Sequence, residues 1–115
     1  MNGFYELEVY QRASTMFPKV YRMVRTWNQV DQRELGSQMI RAANSIHANV
    51  AEGYAKTPID FKRYVGNGIG SCNELISHIH DACNVGLIDE KTRDDLVAEY
   101  QIIVKQLARL RQKWQ

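Results

Sequence analysis

The stretch TPIDFKRYVGNGIGSCNELISHIHDACNVG, residues 57–86, decides the fold. Thr57 is placed to cap a helix, and Pro58 stands at the first helical position, where its missing N–H costs nothing. Asp60 follows beside the positive end of the helix dipole. Phe61, Val65, Ile69, Cys72, Leu75, Ile76, Ile79, Ala82 and Cys83 then recur every three or four residues, which predicts a long helix with one apolar stripe. Gly86 supplies its stop.

The same periodicity extends outward in both directions. Upstream, a second helix is predicted to start between Asp31, with Glu34 three residues on as a capping box, and Ser37. It runs to about Glu52, with Gly53 as its C-terminal cap. A first helix covers about Tyr5 to Trp27. Val9, Tyr10, Ala13, Met16, Phe17, Val20, Tyr21, Val24 and Trp27 share one side of it, and Arg12, Lys19, Arg22 and Arg25 the other. Pro18 falls on the outward side, which predicts a kinked helix rather than two helices. Downstream, a fourth helix begins at Asp89 and packs through Leu96, Val97, Tyr100, Ile103, Val104, Leu107, Leu110 and Trp114. Four amphipathic helices on short loops predict an all-α, antiparallel up-down-up-down four-helix bundle.

The chain has 115 residues, 44% of them hydrophobic and 24% charged, the size and balance of a single globular domain over residues 1–115. No run is apolar enough for a membrane span and the first residues lack a signal-peptide pattern, so a cytoplasmic location is expected. Cys72 and Cys83 lie eleven residues apart on one helix, roughly 16 Å, too far for a mutual disulfide. They read as inert core thiols.

Several motifs are weaker than they look. Gly66, Gly68 and Gly70 resemble a phosphate loop, but no lysine or preceding strand accompanies them, and they fall inside the third helix. Close helix–helix approach is the expected reason for them. His78 and His80 are two apart on a helix and point away from each other, and His47 stands alone, so no metal site or cofactor is expected. Asp60, Asp89 and Glu90 have capping and dipole duties. No tuned acid–base pair is evident, and an enzyme is not expected.

Two charge patterns stand out. Arg41, Ser45, Asn49 and Glu52 recur at spacings of four, four and three beside the apolar stripe of the second helix. They read either as a buried hydrogen-bonded network, with Glu74 as counter-charge for Arg41, or as a ligand site. The cations of the first helix form a one-sided stripe, the footprint of phosphate contacts or of a solvated face. No aromatic residue is expected between them. Lys105, Arg109, Arg111 and Lys113 form a second basic set, which the dipole of the fourth helix partly explains. Ile40, Ala51 and Ile102 fall off the main core stripes and are expected in a subunit interface.

The run from Ser37 to Gly53, SQMIRAANSIHANVAEG, resembles the pattern S-Q-x-x-R-A-x-x-S-I-x-x-N-I-A-E-G, with Val50 for isoleucine. Gly70-Ser71-Cys72-Asn73-Glu74-Leu75 resembles G-S-x-x-E-L. Phe4 through Ala13 is similar to the opening helix of the same family, the bacterial proteins encoded in intervening sequences of large-subunit (23S) rRNA genes. Pro18, Gly66 and Gly68 depart from its usual pattern. The resemblance implies a homopentameric ring of bundles and an RNA association. A related branch comprises the accessory proteins of diversity-generating retroelements, in which a basic pentamer binds nucleic acid and a reverse transcriptase. The expected function is therefore binding of RNA or DNA by a homo-oligomer, through Arg12, Lys19, Arg22, Arg25, Lys105 and Arg109. The alternative is a protein-interaction scaffold, such as an accessory subunit of a reverse transcriptase.

Overall fold

Thr57 does cap the longest helix: its hydroxyl accepts the Asp60 N–H at 3.2 Å, and Pro58 begins the helix proper. The computed structural model describes residues 3–115, and among these it has helices and no strand. Helix α1 is Glu8–Arg25, preceded by a 3₁₀ turn at Phe4–Glu6. Helix α2 runs unbroken through an opening turn Gln29–Asp31, a π-helical stretch Gln32–Gly36 and the long segment Ser37–Tyr54. Helix α3 is Pro58–Asn84 and helix α4 is Glu90–Lys113. At 1.5 Å per residue α3 spans about 40 Å, and it sets the long axis of a body 44 × 22 × 21 Å in extent.

The helices pack as a ring in chain order, as antiparallel neighbours on short loops should. The α2–α3 and α3–α4 seams are the most extensive, α1 lies mainly on α2, and the α1–α4 seam is thin. Val20, Met39, Ile46, Phe61, Leu75, Ile79, Tyr100, Ile103 and Leu107 are fully buried between them. Burial of side chains of this size stabilises by about 1.5–3 kcal/mol each. Asp89 caps α4 by accepting the Thr92 N–H at 2.8 Å.

Two sequence expectations need correction. Helix α2 starts earlier than Asp31. Asn28 is its cap, accepting the Asp31 N–H at 2.9 Å while donating to the Asp31 carboxylate at 2.8 Å. The first bond satisfies one free backbone N–H of the helix start, and the second, between the two side chains, holds the cap in place. Gly53 does not end α2, which continues to Tyr54 with Ala55 at its C-cap. Gly53 is glycine for lack of space, because a Cβ there would stand 2.6 Å from the Cβ of Tyr64 on α3. Pro18 lies inside one continuous α1, one helix rather than two as its outward position predicts. Gly86, with φ of 83°, does terminate α3. Its N–H reaches the Cys83 carbonyl at 3.0 Å and that of Leu87 reaches Ala82 at 2.8 Å, a Schellman closure.

The glycines within α3 differ in purpose. A Cβ on Gly68 would stand 3.2 Å from the Ile46 carbonyl oxygen, so α2 and α3 approach backbone to backbone there. Gly66 makes room for the Arg111 guanidinium, and Gly70 faces open space. Gly68→Ala is expected to destabilise by about 1–3 kcal/mol, because a helical carbonyl cannot move aside. Gly70→Ala is expected to stabilise by up to about 1 kcal/mol through helix propensity. Urea denaturation of both variants checks this; shifts of the same sign would refute a tight seam at Gly68.

His47 is the buried polar residue between α1 and α2, 9% exposed. Tyr10 and Phe17 meet its ring edge-on at 5.6 and 5.9 Å, and its Nδ1 has no hydrogen-bond partner among the described residues. Burial lowers its pKa from the usual 6.5. Between the folded and unfolded values the unfolded chain binds more protons. The stability contributed by neutral His47 is therefore complete above about pH 6.5 and is lost as pH falls toward the folded value. Unfolding free energies at pH 7.5 and pH 5.5 should differ more for the wild type than for His47→Phe; parallel pH profiles would overturn the assignment.

Candidate nucleic-acid interface

The basic stripe of α1 divides on folding. Arg12 turns into the α1–α4 seam, where its Nη1 meets Glu99 Oε1 at 2.6 Å with both side chains about one-third exposed. It clasps the two helices together with a second polar pair, Gln106 donating to Glu8 at 2.8 Å. Arg12 is therefore not a free phosphate ligand, which corrects its place in the stripe. Amphipathic spacing cannot reveal this, because Glu99 lies 87 residues away.

Lys19, Arg22 and Arg25 stay exposed, and none forms an ion pair among the described residues. Arg22 and Arg25 occupy the last turn of α1, where the helix dipole itself favours cations. Arg25 is held by a tyrosine. Its Nη1 donates to Tyr21 Oη at 3.0 Å, and its guanidinium carbon lies 5.7 Å from the ring centroid.

Tyr21 is 40% exposed, so an aromatic ring does stand among the cations, contrary to the sequence expectation. It sits at the edge of the apolar stripe rather than within it. The signal was available in the spacing, since Phe17, Tyr21 and Arg25 succeed one another at intervals of four and meet on one flank of a helix.

The second basic set lies elsewhere. Arg109 and Lys113 line a groove of about 260 Å³ with Leu7, Glu8, Val9, Gln106 and Leu110, at the end of the bundle where α1 begins. Lys105 is exposed on α4. These residues and the Lys19–Arg25 group do not converge.

The polar stripe of α2 also divides. Ser45 and Ser71 share a hydrogen bond at 2.8 Å across the α2–α3 seam, and Asn49 donates to both the Ser45 carbonyl and its hydroxyl at 2.8 and 2.9 Å. These three are half-buried. Arg41, Glu52 and Glu74 are exposed and lie outside that network. Glu74 meets His78 Nε2 at 3.2 Å rather than Arg41, and Glu52 accepts from the Tyr64 hydroxyl at 3.4 Å. The spacing correctly puts the four residues on one face but does not reveal that the face turns outward at both ends. Arg41, Ser45, Ser71 and Glu74 also line a shallow surface depression with Phe17 and Ile40. Ile40 and Ala51 are half-buried, and Ile102 is 41% exposed.

Reactive chemistry is weakly represented. Cys72 is buried, its thiol donates to the Tyr100 carbonyl at 3.3 Å, and burial pushes its pKa up to about 12. Cys83 is half-exposed, with Arg93 Nη1 at 3.7 Å from its sulfur, so it is not the core residue its spacing predicts. No group of three or more His, Cys, Asp or Glu side chains is placed to hold a metal among the described residues. Among the described residues no helix is long and apolar enough to cross a membrane.

The fold and the sequence agree on a class, a four-helix bundle carrying its longest recognisable motif on α2. Residues 5–109 match the model of the 23S rRNA-intervening sequence protein family, and the chain belongs to that family. Its fold is similar to a crystal structure of a protein of unknown function from the S23 ribosomal protein family of Bacteroides thetaiotaomicron. The likeness has a TM-score of 0.83 at 17% identity, covering 91% of this chain and 96% of that one. No curated protein matches the chain.

The divided stripe has a measurable consequence. Arg41→Ala should change stability by less than about 0.5 kcal/mol, as at an ordinary surface site. Asn49→Ala, which removes two hydrogen bonds at the seam, should cost about 1 kcal/mol or more. Chemical denaturation that ranks Arg41 above Asn49 would restore a buried arginine network.

Proposed function

We propose that the protein is a non-enzymatic, homo-oligomeric nucleic-acid-binding protein that contacts RNA through the outer face of α1. The observation that carries this is the exposure of Lys19, Arg22 and Arg25 together, without acidic partners among the described residues, in a member of a family named for 23S rRNA intervening sequences. Cations so placed act on phosphates through counterion release, which gives affinity with little sequence preference. The buried, high-pKa Cys72 and the capping role of Asp89 are consistent with binding rather than catalysis.

We further propose assembly into the homopentameric ring that the family resemblance implies. Ile102, with half-buried Ile40 and Ala51, supplies apolar surface for subunit contacts, and exposed Arg41, Glu52 and Glu74 supply polar ones. A ring would repeat the α1 face around its surface, so that modest affinity per subunit adds through multivalency. A second reading, a scaffold such as an accessory subunit of a reverse transcriptase, is favoured by the groove between α1 and α4. Leu7, Val9 and Leu110 there are bordered by Arg109 and Lys113, a surface suited to a protein segment.

The test is a salt titration of RNA binding. Wild type is compared with a variant carrying Lys19→Gln, Arg22→Gln and Arg25→Gln, leaving Arg12 to its ion pair. Affinity should fall steeply with salt, and each neutralised cation should reduce the log–log slope by up to about one unit per contacting subunit. Identical binding of the two proteins at every salt concentration would transfer the lead to the scaffold. Light scattering on the same samples should read a multiple of 13.3 kDa, and a monomer at micromolar concentration would overturn the assembly.

A further inference from the structure

Beside the exposed cations of α1 lies a notch of about 310 Å³ lined by Phe17, Pro18, Tyr21 and Arg22. Its walls are two rows of the same helix. Phe17 and Tyr21 form one, with ring centroids 6.0 Å apart and planes tilted by 44°, and Pro18 and Arg22 form the other. The volume is at the lower end of the range of small-ligand sites. Its lining is apolar apart from Arg22, and Arg25 follows three residues on along the same flank of the helix.

The notch is held in shape from both ends. On the inner side Phe17 rests edge-on against buried His47 at 5.9 Å, and His47 against Tyr10 at 5.6 Å. On the outer side Arg25 fixes the Tyr21 hydroxyl at 3.0 Å. Tyr21 keeps 40% of its surface in water beside Arg22 and Arg25, more aromatic surface than phosphate contacts alone require. A flat apolar group tethered to anions matches the whole arrangement, and the unpaired base of a single strand is that group. Aromatic and arginine planes stack on any base, whereas a paired base keeps both faces inside its helix.

We propose that Phe17, Pro18, Tyr21 and Arg22 form a subsite for one unpaired nucleobase, with Arg25 on a flanking phosphate, so that the protein prefers single strands to duplex. This rests on the nucleic-acid reading above and adds to it a contact that is not electrostatic.

The experiment measures binding of a labelled single-stranded oligonucleotide and of a duplex of the same length, in RNA and DNA forms. The proteins are wild type, Tyr21→Ala, Tyr21→Phe and the triple glutamine variant. Tyr21→Ala should weaken single-strand binding about 5- to 100-fold, the loss of one base stack. Its log–log salt slope should not change and its duplex affinity should fall far less, while Tyr21→Phe, which keeps the ring but loses the Arg25 hydrogen bond, should fall between the wild type and Tyr21→Ala. Similar losses on RNA and DNA support a contact to the base; a loss confined to RNA assigns Tyr21 to the 2′-hydroxyl and overturns the stacking subsite. Undiminished single-strand binding by Tyr21→Ala, with binding reduced in the triple variant, overturns the subsite and leaves the nucleic-acid function standing. No binding by the wild type removes both. A changed assembly mass for Tyr21→Ala at unchanged affinity makes Tyr21 a subunit contact and likewise overturns the subsite.

Discussion

The approach of Gly68 to the Ile46 carbonyl is the constraint from which the rest of the bundle follows. A side chain at 68 would meet backbone at 3.2 Å, so α2 and α3 sit closer than ordinary side-chain packing permits. That proximity lets two residues as short as Ser45 and Ser71 hydrogen-bond across the seam, and Asn49 then folds back on Ser45. Gly53 extends the close seam toward the end of α2, where Tyr64 and Phe61 occupy the space a side chain would need. Gly36 plays a similar part for α1, since a Cβ there would collide with Val24. The α1–α4 seam has no such glycine. It stays open and is bridged at intervals by Arg12 with Glu99 and Glu8 with Gln106.

This asymmetry explains what could be read from the sequence. Helix existence and the core stripes are periodic properties, and Phe61, Val65, Cys72, Leu75 and Ile79 are buried as their spacing predicts. The caps at Thr57 and Asp89 are local chemistry and were equally legible. The cap of α2 is Asn28, with Asp31 as its partner, where the spacing suggests an Asp31–Glu34 box. Gly53 was misread because a glycine near a helix end looks the same whether it serves a positive φ or a close neighbour. Only the structure distinguishes it from Gly86.

The candidate site was less legible for a different reason. Periodicity assigns a residue to a face but not to what stands opposite. Arg12 and Lys19 are one row of cations in the sequence, yet Glu99 takes one of them. Arg41 and Asn49 are one stripe, yet the α3 partner, Ser71, reaches only its middle. Tyr21 was placed in the core because aromatic residues at helical spacing usually are, and its position at the stripe's edge leaves part of its ring in water.

The division of the cations also limits how they act. Lys19, Arg22 and Arg25 lie within six residues of one another, about 9 Å along the helix axis, close to one Debye length of about 8 Å at physiological salt. Their fields therefore add. Arg109 and Lys113 stand beside Glu8, at the opposite end of α1. Eleven residues, about 16 Å of helix, separate Glu8 from Lys19 alone. Charges so far apart in exposed surroundings are screened from each other. The bundle thus presents two basic areas of different character. One lies at the end of α1, where Arg22 and Arg25 stand beside an exposed aromatic notch and Lys19 lines a depression with Glu99 and Asp95 without forming an ion pair among the described residues. The other borders an apolar groove and shares it with a carboxylate. Glu8 repels a phosphate backbone at the groove, and Glu99 and Asp95 do so beside Lys19, whereas a protein segment with its own cation is not repelled. The proposed phosphate contacts accordingly rest most on Arg22 and Arg25, and the alternative protein contact on the groove.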